Sequence, residues 1–436
     1  MWHSLSFRRL ALKLAANVAV VWSVMLIVPA IRAADETPAP RPTHYHADPE
    51  QLWNRLHEAL FVRDGWGQDR LEPLLWSYSK HLLEAQSNER ASALLAEFLK
   101  NNGEKLIDDP LKRAVLQRDL WMVFNWLDRR RHPSDFVAPK LTEEEISAAE
   151  KRLRGPLAAV IRRLELSPQE IRDLPDNYAA AVASEQFAKS LELATHDKKY
   201  LPAELFAADG PWVCVGRIDG RTAPLHLDGT NPFTNSVFFL FLRLPDGNAG
   251  LGESGLQGRA GVAEFLKQRP AIPKGTELAL VRRAMLIDTS HHAVLSNLTE
   301  SIQLRTIRDN DVPNEFRLSR AQLFAGRGGG LHATGNDEED FKTGFSSRMW
   351  DALESNAARG NLPSADMQPI KRGCIACHDK SRSPELFQSG GTKDRPHPLA
   401  VMPATDVAAI TLRWRESHPN WGALRTHLVK SGSAHQ

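Results

Sequence analysis

Cys374-Ile-Ala-Cys377-His378 is the stretch of this chain whose residue types and spacing are best suited to chemistry. Covalent haem attachment accounts for every residue in it. The two thiols add to the two vinyl groups of one porphyrin, and the histidine that follows at once lies under the iron as its proximal ligand. Three other readings use fewer of these residues. A zinc site needs a second Cys/His pair at ligand spacing; no further cysteine follows, and His397 and His418 are too widely separated. A thioredoxin-like pair is expected after a strand, whereas this run follows Ile370-Lys-Arg-Gly and precedes Asp379-Lys-Ser-Arg-Ser-Pro. A plain structural disulfide leaves His378 unexplained.

On Cys374, Cys377 and His378, the tail resembles a c-type cytochrome domain. The resemblance covers about 90 of the 436 residues and implies one haem c, held by two thioethers, in a small helical domain. It also points to a sixth iron ligand in Leu399-Ala-Val-Met402-Pro403. Met402 is the only methionine after the motif and precedes a short amphipathic segment ending at Trp414. The spacing departs from the family: only 24 positions separate His378 from Met402. His397, or an open sixth position, are the alternatives. With His378 and Met402 both bound, the resemblance implies electron transfer to a redox partner protein. An open iron implies a peroxidase-like enzyme or a gas or redox sensor. A secreted interaction protein with a structural haem is the third possibility.

Other candidate motifs are weaker. Gly250-Leu-Gly252-Glu-Ser-Gly255 has the G-x-G-x-x-G form, but Pro245 to Ala249 separate it from the preceding strand. A dinucleotide site needs the first glycine directly after that strand. His291-His292 reads as a turn pair with no partner at ligand spacing, and Gly326-Arg-Gly-Gly-Gly as a domain linker. Cys214, in an apolar run, reads as a buried small hydrophobe.

The elements that position the haem segment begin with an export signal. Arg8, Arg9 and Lys13 precede an uncharged run from Leu14 to Ile31, and Ala33 ends a stretch suited to cleavage. That run is 18 residues, long enough to serve as an uncleaved anchor, since about 17 can span a bilayer. Arg8-Arg9 also fits a twin-arginine signal, but that route carries folded cargo, whereas covalent haem joins an unfolded chain. The general secretory route and a periplasmic location are therefore expected. The full chain has 55 basic and 53 acidic residues, and removing the four basic residues of the signal leaves 51 against 53. Within that balance, residues 346–436 hold 12 basic and 8 acidic side chains, a net of +4 suited to an acidic partner surface. No global basic excess points to nucleic acid. Apolar residues at 42% and charged residues at 25% exclude wholesale disorder and a multi-span membrane protein.

Periodicity gives a multidomain α+β protein. A Pro-rich spacer at 34–48 follows the signal at 1–33. Residues 49–201 read as a helical domain, with helices near 52–60, 71–82, 89–100, 110–130 and 142–164. Thr142 and Glu145 form a capping-box pattern. Trp53, Trp76, Trp121 and Trp126 fall on or near the apolar stripes. Residues 202–345 read as a β-rich domain with strands near 212–217, 236–244, 277–287, 301–307 and 316–324, and a short helix near 261–268. The run Val237-Phe-Phe-Leu-Phe-Leu is apolar on both faces, as in a central strand. Residues 346–436 read as the cytochrome c-like haem domain, with helices near 347–358 and 405–416.

Overall fold

The computed structural model describes residues 43–64, 70–71, 80–83, 85–127, 142–222, 235–245, 258–268, 272–307, 314–333 and 399–433. Residues 42–63 and 71–436 form one compact unit, and 1–41 with 64–70 the other; the first of these is described below.

Its amino-terminal part is helical: α1 (Leu52–Phe61), α2 (Ala85–Lys100), α3 (Pro110–Leu127), α4 (Glu143–Arg163), α5 (Pro168–Asp173) and α6 (Asn177–Ala183). Local rules account for the starts. Asp109 accepts from the backbone N–H groups of Leu111 and Lys112 at 2.9 and 3.2 Å, which lets Pro110 open α3 without a missing donor. Thr142 and Glu145 form the expected capping box on α4. Replacing Thr142 with alanine is expected to cost about 1 kcal/mol, read as a small shift in the chemical-denaturation midpoint with an unchanged slope. Trp53 and Trp121 are fully buried, as the apolar stripes predict, and share one core with Leu94, Phe98, Leu153, Leu157 and Ile161. Trp76 and the side chain of Trp126 lie outside the description.

The second part is an antiparallel sheet of seven strands: β1 (Val213–Arg217), β2 (Ser236–Arg243), β3 (Glu277–Ile287), β4 (Ala293–Thr306), β5 (Asn314–Leu318), β6 (Leu331–Ala333) and β7 (Leu399–Val401). Their order across the sheet is β6-β5-β4-β3-β2-β1-β7. The fold is thus mixed α+β. The apolar run of β2 is indeed central, pairing with both β1 and β3. Alternation along β1 shows that both sheet faces are covered. Val213 and Val215 join a cluster with Val262 and Phe265 of α7 (Gly258–Gln268). On the opposite face a Cβ on Gly216 would stand 2.7 Å from a methyl of Val407, in α9 (Ala404–Ser417). The last helix, α10 (Pro419–Ser433), packs on α4.

Several expectations change. The strand expected at 316–324 is β5 followed by α8 (Arg320–Phe324), which Ser319 caps by accepting from Gln322 N–H. The strand expected at 301–307 is the second half of β4, which starts at Ala293. The glycine run 326–330 is not a linker. Gly329 has φ +61°, and a Cβ there would lie 1.9 Å from the carbonyl oxygen of Asn177; the run is a turn locked against α6. The described part of the tail, 399–433, supplies an edge strand and two helices to the common core. Helical region, sheet and tail share that core, which holds Trp53, Phe239 and Leu424 together. Among the described residues, no helix is long and apolar enough to cross a membrane.

Candidate haem site and its surroundings

Cys374, Cys377, His378 and His397 lie outside the described residues, as do the signal segment and the glycine loop 250–255. The structure does place the two ends of the segment that contains the motif. Residue 333 closes β6 and residue 399 opens β7, and these are the opposite edges of the sheet. Six inter-strand steps of about 4.8 Å put those edges roughly 29 Å apart along the hydrogen-bonding direction. The segment that contains the Cys374–His378 run thus lies in the chain between two strands of one sheet.

Met402 is the one predicted ligand within the described residues. It follows β7 directly, and its backbone N–H donates to the carbonyl of Cys214 at 3.1 Å. Its side chain is half-buried and packs against the apolar core. The sulfur lies over Gly216, 3.2 Å from where a Cβ would stand. A glycine on β1 therefore makes room for this thioether. Cys214 itself is buried, and burial pushes its thiol up to about 12; it is an inert neighbour, in keeping with its apolar run.

The donor set fits a haem c in type: two thiols, one imidazole and one thioether. Met402 is the member whose placement is known. The side chain is partly exposed, and its sulfur packs over Gly216. The structure brings Met402 together with Cys214, Gly216 and Val407.

A second group of charged side chains was not singled out by sequence pattern. Arg118 of α3, Arg282 of β3 and Glu300 of β4 are 2%, 3% and 1% exposed. Arg118 Nε lies 2.8 Å from Glu300 and Arg282 Nε 3.2 Å from it. Ser236 Oγ donates to the same carboxylate at 2.6 Å. Arg317 pairs with Glu315 at 3.0 Å, and Arg320 with Asp119 at 2.9 Å. Burial holds Arg282 down to about 9 against the opposing pull of Glu300. Burial likewise raises Asp119 well above the usual carboxylate range. Beside this group, burial and the Arg320 charge lower His44 to about 4 and His57 well below its ordinary value. Both imidazoles are therefore neutral at pH 7. The chemical effect is to lock α3 against the sheet with a desolvated ionic network. Charges set within the apolar run Ala279–Ile287 were the available sequence signal.

Gln117 makes the same junction with neutral groups. Its side chain donates to the carbonyl of Ile287 at 2.8 Å and accepts from the Ile287 N–H at 2.9 Å. This closes two backbone groups at the end of β3 that would otherwise be buried without partners.

Comparison with protein-family models, curated proteins and solved structures finds no match to this chain.

Proposed function

We propose that the chain is an exported protein carrying one covalent haem c on Cys374 and Cys377, with His378 as proximal ligand, and that it transfers electrons in the periplasm. The observation that carries this reading is the run Cys374-Ile-Ala-Cys377-His378, in which every chemically active residue has a role. The bound haem supplies a one-electron couple. Met402 is the sixth ligand in this reading: a soft thioether that favours the reduced iron and leaves no open position for substrate. Its backbone bond to Cys214 fixes where on the sheet edge that donor stands. The net +4 charge of residues 346–436 suits docking to an acidic redox partner. The export signal matches the requirement that covalent haem be added outside the cytoplasm.

The packing of Met402 over Gly216 favours a second reading. If the thioether keeps that contact, the sixth position of the iron is open. The protein is then a haem enzyme or a gas or redox sensor.

Absorption spectra of the mature protein, made with a working haem-maturation system, separate the two. An α-band that survives acid-acetone extraction supports covalent haem. A methionine–iron charge-transfer band that disappears in Met402→Ala supports electron transfer. A high-spin ferric spectrum that shifts on adding cyanide, and is unchanged in Met402→Ala, supports the second reading. A protein free of haem overturns both.

A further inference from the structure

The hairpin between β3 and β4 carries two adjacent histidines, and each meets a carboxylate from a distant part of the chain. His291 Nδ1 lies 2.8 Å from Glu165 Oε1, in the segment that follows α4. His292 Nδ1 lies 3.2 Å from Glu416 Oε1, at the end of α9. The turn itself is closely tied. Asp288 Oδ1 accepts from the N–H groups of Ser290 and His292 at 2.9 and 3.0 Å. Thr289 N–H donates to the carbonyl of Leu166 at 3.1 Å. His291 adopts φ +60°, a left-handed conformation that costs a non-glycine residue about 1 kcal/mol or more. That strain places its ring against Glu165, which is almost fully buried. Among the described residues no three His, Cys, Asp or Glu side chains converge as metal ligands, so the cluster is not read as an ion site.

We propose that the Glu165–His291 pair is a proton-operated latch: holding one shared proton it closes the 288–292 hairpin against the helical layer, and losing that proton loosens it. In the closed state the Glu165 carboxyl is protonated and donates to the neutral His291 ring, so no net charge is buried. When the proton leaves to solvent, the imidazole's remaining proton can shift to Nδ1 and donate to the carboxylate, but the pair then holds a net negative charge away from water, and that charge loosens the closure. Arg162 at the end of α4, Asp288 and His292 of the hairpin and Arg425 of α10 act on the pair; around them Arg113 of α3 donates to the Glu165 carbonyl and meets Glu170 of α5, and Glu416 of α9 meets His292. Burial is the main force raising Glu165 to about 8, with Asp288 adding to it and Arg162 opposing it. Burial also lowers His291, helped by Arg162, Arg425 and His292 and opposed by Asp288.

The sign follows from these two directions. Closing takes up a proton at Glu165 over the window from its ordinary 4.5 to about 8. Closing releases a proton from His291 below its ordinary 6.5, so the two effects offset there. From pH 6.5 to about 8 only Glu165 contributes, and the closed state loses stability as pH rises. The latch does not depend on the haem reading. The neighbouring His292 and the Ala293 N–H meet Glu416, at the far end of the helix that begins just after Met402.

Amide hydrogen exchange of the full-length protein at residues 289–292, corrected for the intrinsic pH dependence, tests this. Amides of the central strand β3 serve as the internal reference. Opening of the hairpin is expected to rise about tenfold per pH unit from 6.5 to about 8 and then to level. Glu165→Gln keeps a side-chain donor for His291 but cannot ionise, and its corrected profile should be flat. A flat wild-type profile overturns the latch whether or not the variant folds. A Glu165→Gln profile that retains the wild-type slope overturns it as well.

Discussion

Glu300→Ala is expected to destabilise the protein by about 3–5 kcal/mol, the cost of stranding buried charge. The carboxylate is 1% exposed and is met by Arg118 and Arg282 at 2.8 and 3.2 Å and by the Ser236 hydroxyl at 2.6 Å. Its loss leaves two guanidinium groups in the interior with their shared counter-charge gone. Glu300→Gln should recover only part of the loss, because an amide keeps the shape and one acceptor but not the charge. Adding Arg118→Met and Arg282→Met to Glu300→Ala should restore most of it, since similar-sized apolar groups need no counter-charge. Chemical denaturation of the four proteins reads the comparison. A Glu300→Ala variant within about 0.5 kcal/mol of wild type would show the charges to be solvated through another route.

Cys374→Ser with Cys377→Ser is expected to abolish covalent haem, because serine hydroxyls do not form the thioether links that hold the porphyrin. The measurement is haem staining after denaturing electrophoresis, where wild type retains its haem and the double variant retains none. His378→Ala has a different expected outcome. Its thiols remain, so some haem stays attached, but the spectrum loses the signature of an imidazole-ligated low-spin iron. Full staining of the double variant would place the attachment elsewhere in the chain. The described strands should still pair in the double variant. Among the described residues, every partner in the seven-stranded ladder lies within 213–333 or 399–401.

Much of the secondary structure was legible because its causes are local. Thr142 and Glu145 sit three positions apart and cap α4 as the pattern predicts. The apolar stretches at 277–287 and 237–242 place β3 and β2 close to their observed limits. Errors arose where a short segment takes its structure from a distant partner. Leu399–Val401 is only three residues long and becomes a strand because β1 offers an edge to it. Residues 293–300 carry Ser, Asn, Thr and Glu, a polar content that hides the first half of β4. Its pairing with β3 is irregular between Arg282 and Met285. There Thr299 lies opposite Arg283 and Ser301 opposite Arg282, so Glu300 is the extra residue of a bulge. That irregularity brings Glu300 to Arg118 and Arg282, and strict two-residue alternation does not predict it.

The candidate site divides in the same way. Cys374, Cys377 and His378 are recognisable together because haem attachment demands adjacent residues, and the chemistry is written in the spacing itself. The sequence by itself therefore determined the C-x-x-C-H run on which the haem proposal rests and most of the described helix and strand positions. Only the tertiary structure decided that the tail closes a common sheet and that Met402 rests over Gly216. It alone supplied Glu165 and Glu416 as partners for His291 and His292, from 126 and 124 residues away. Periodicity and capping act within a turn or two of chain. Burial, ion pairing and edge pairing join residues whose separation along the chain carries no signal, and they exist only once the layers have packed.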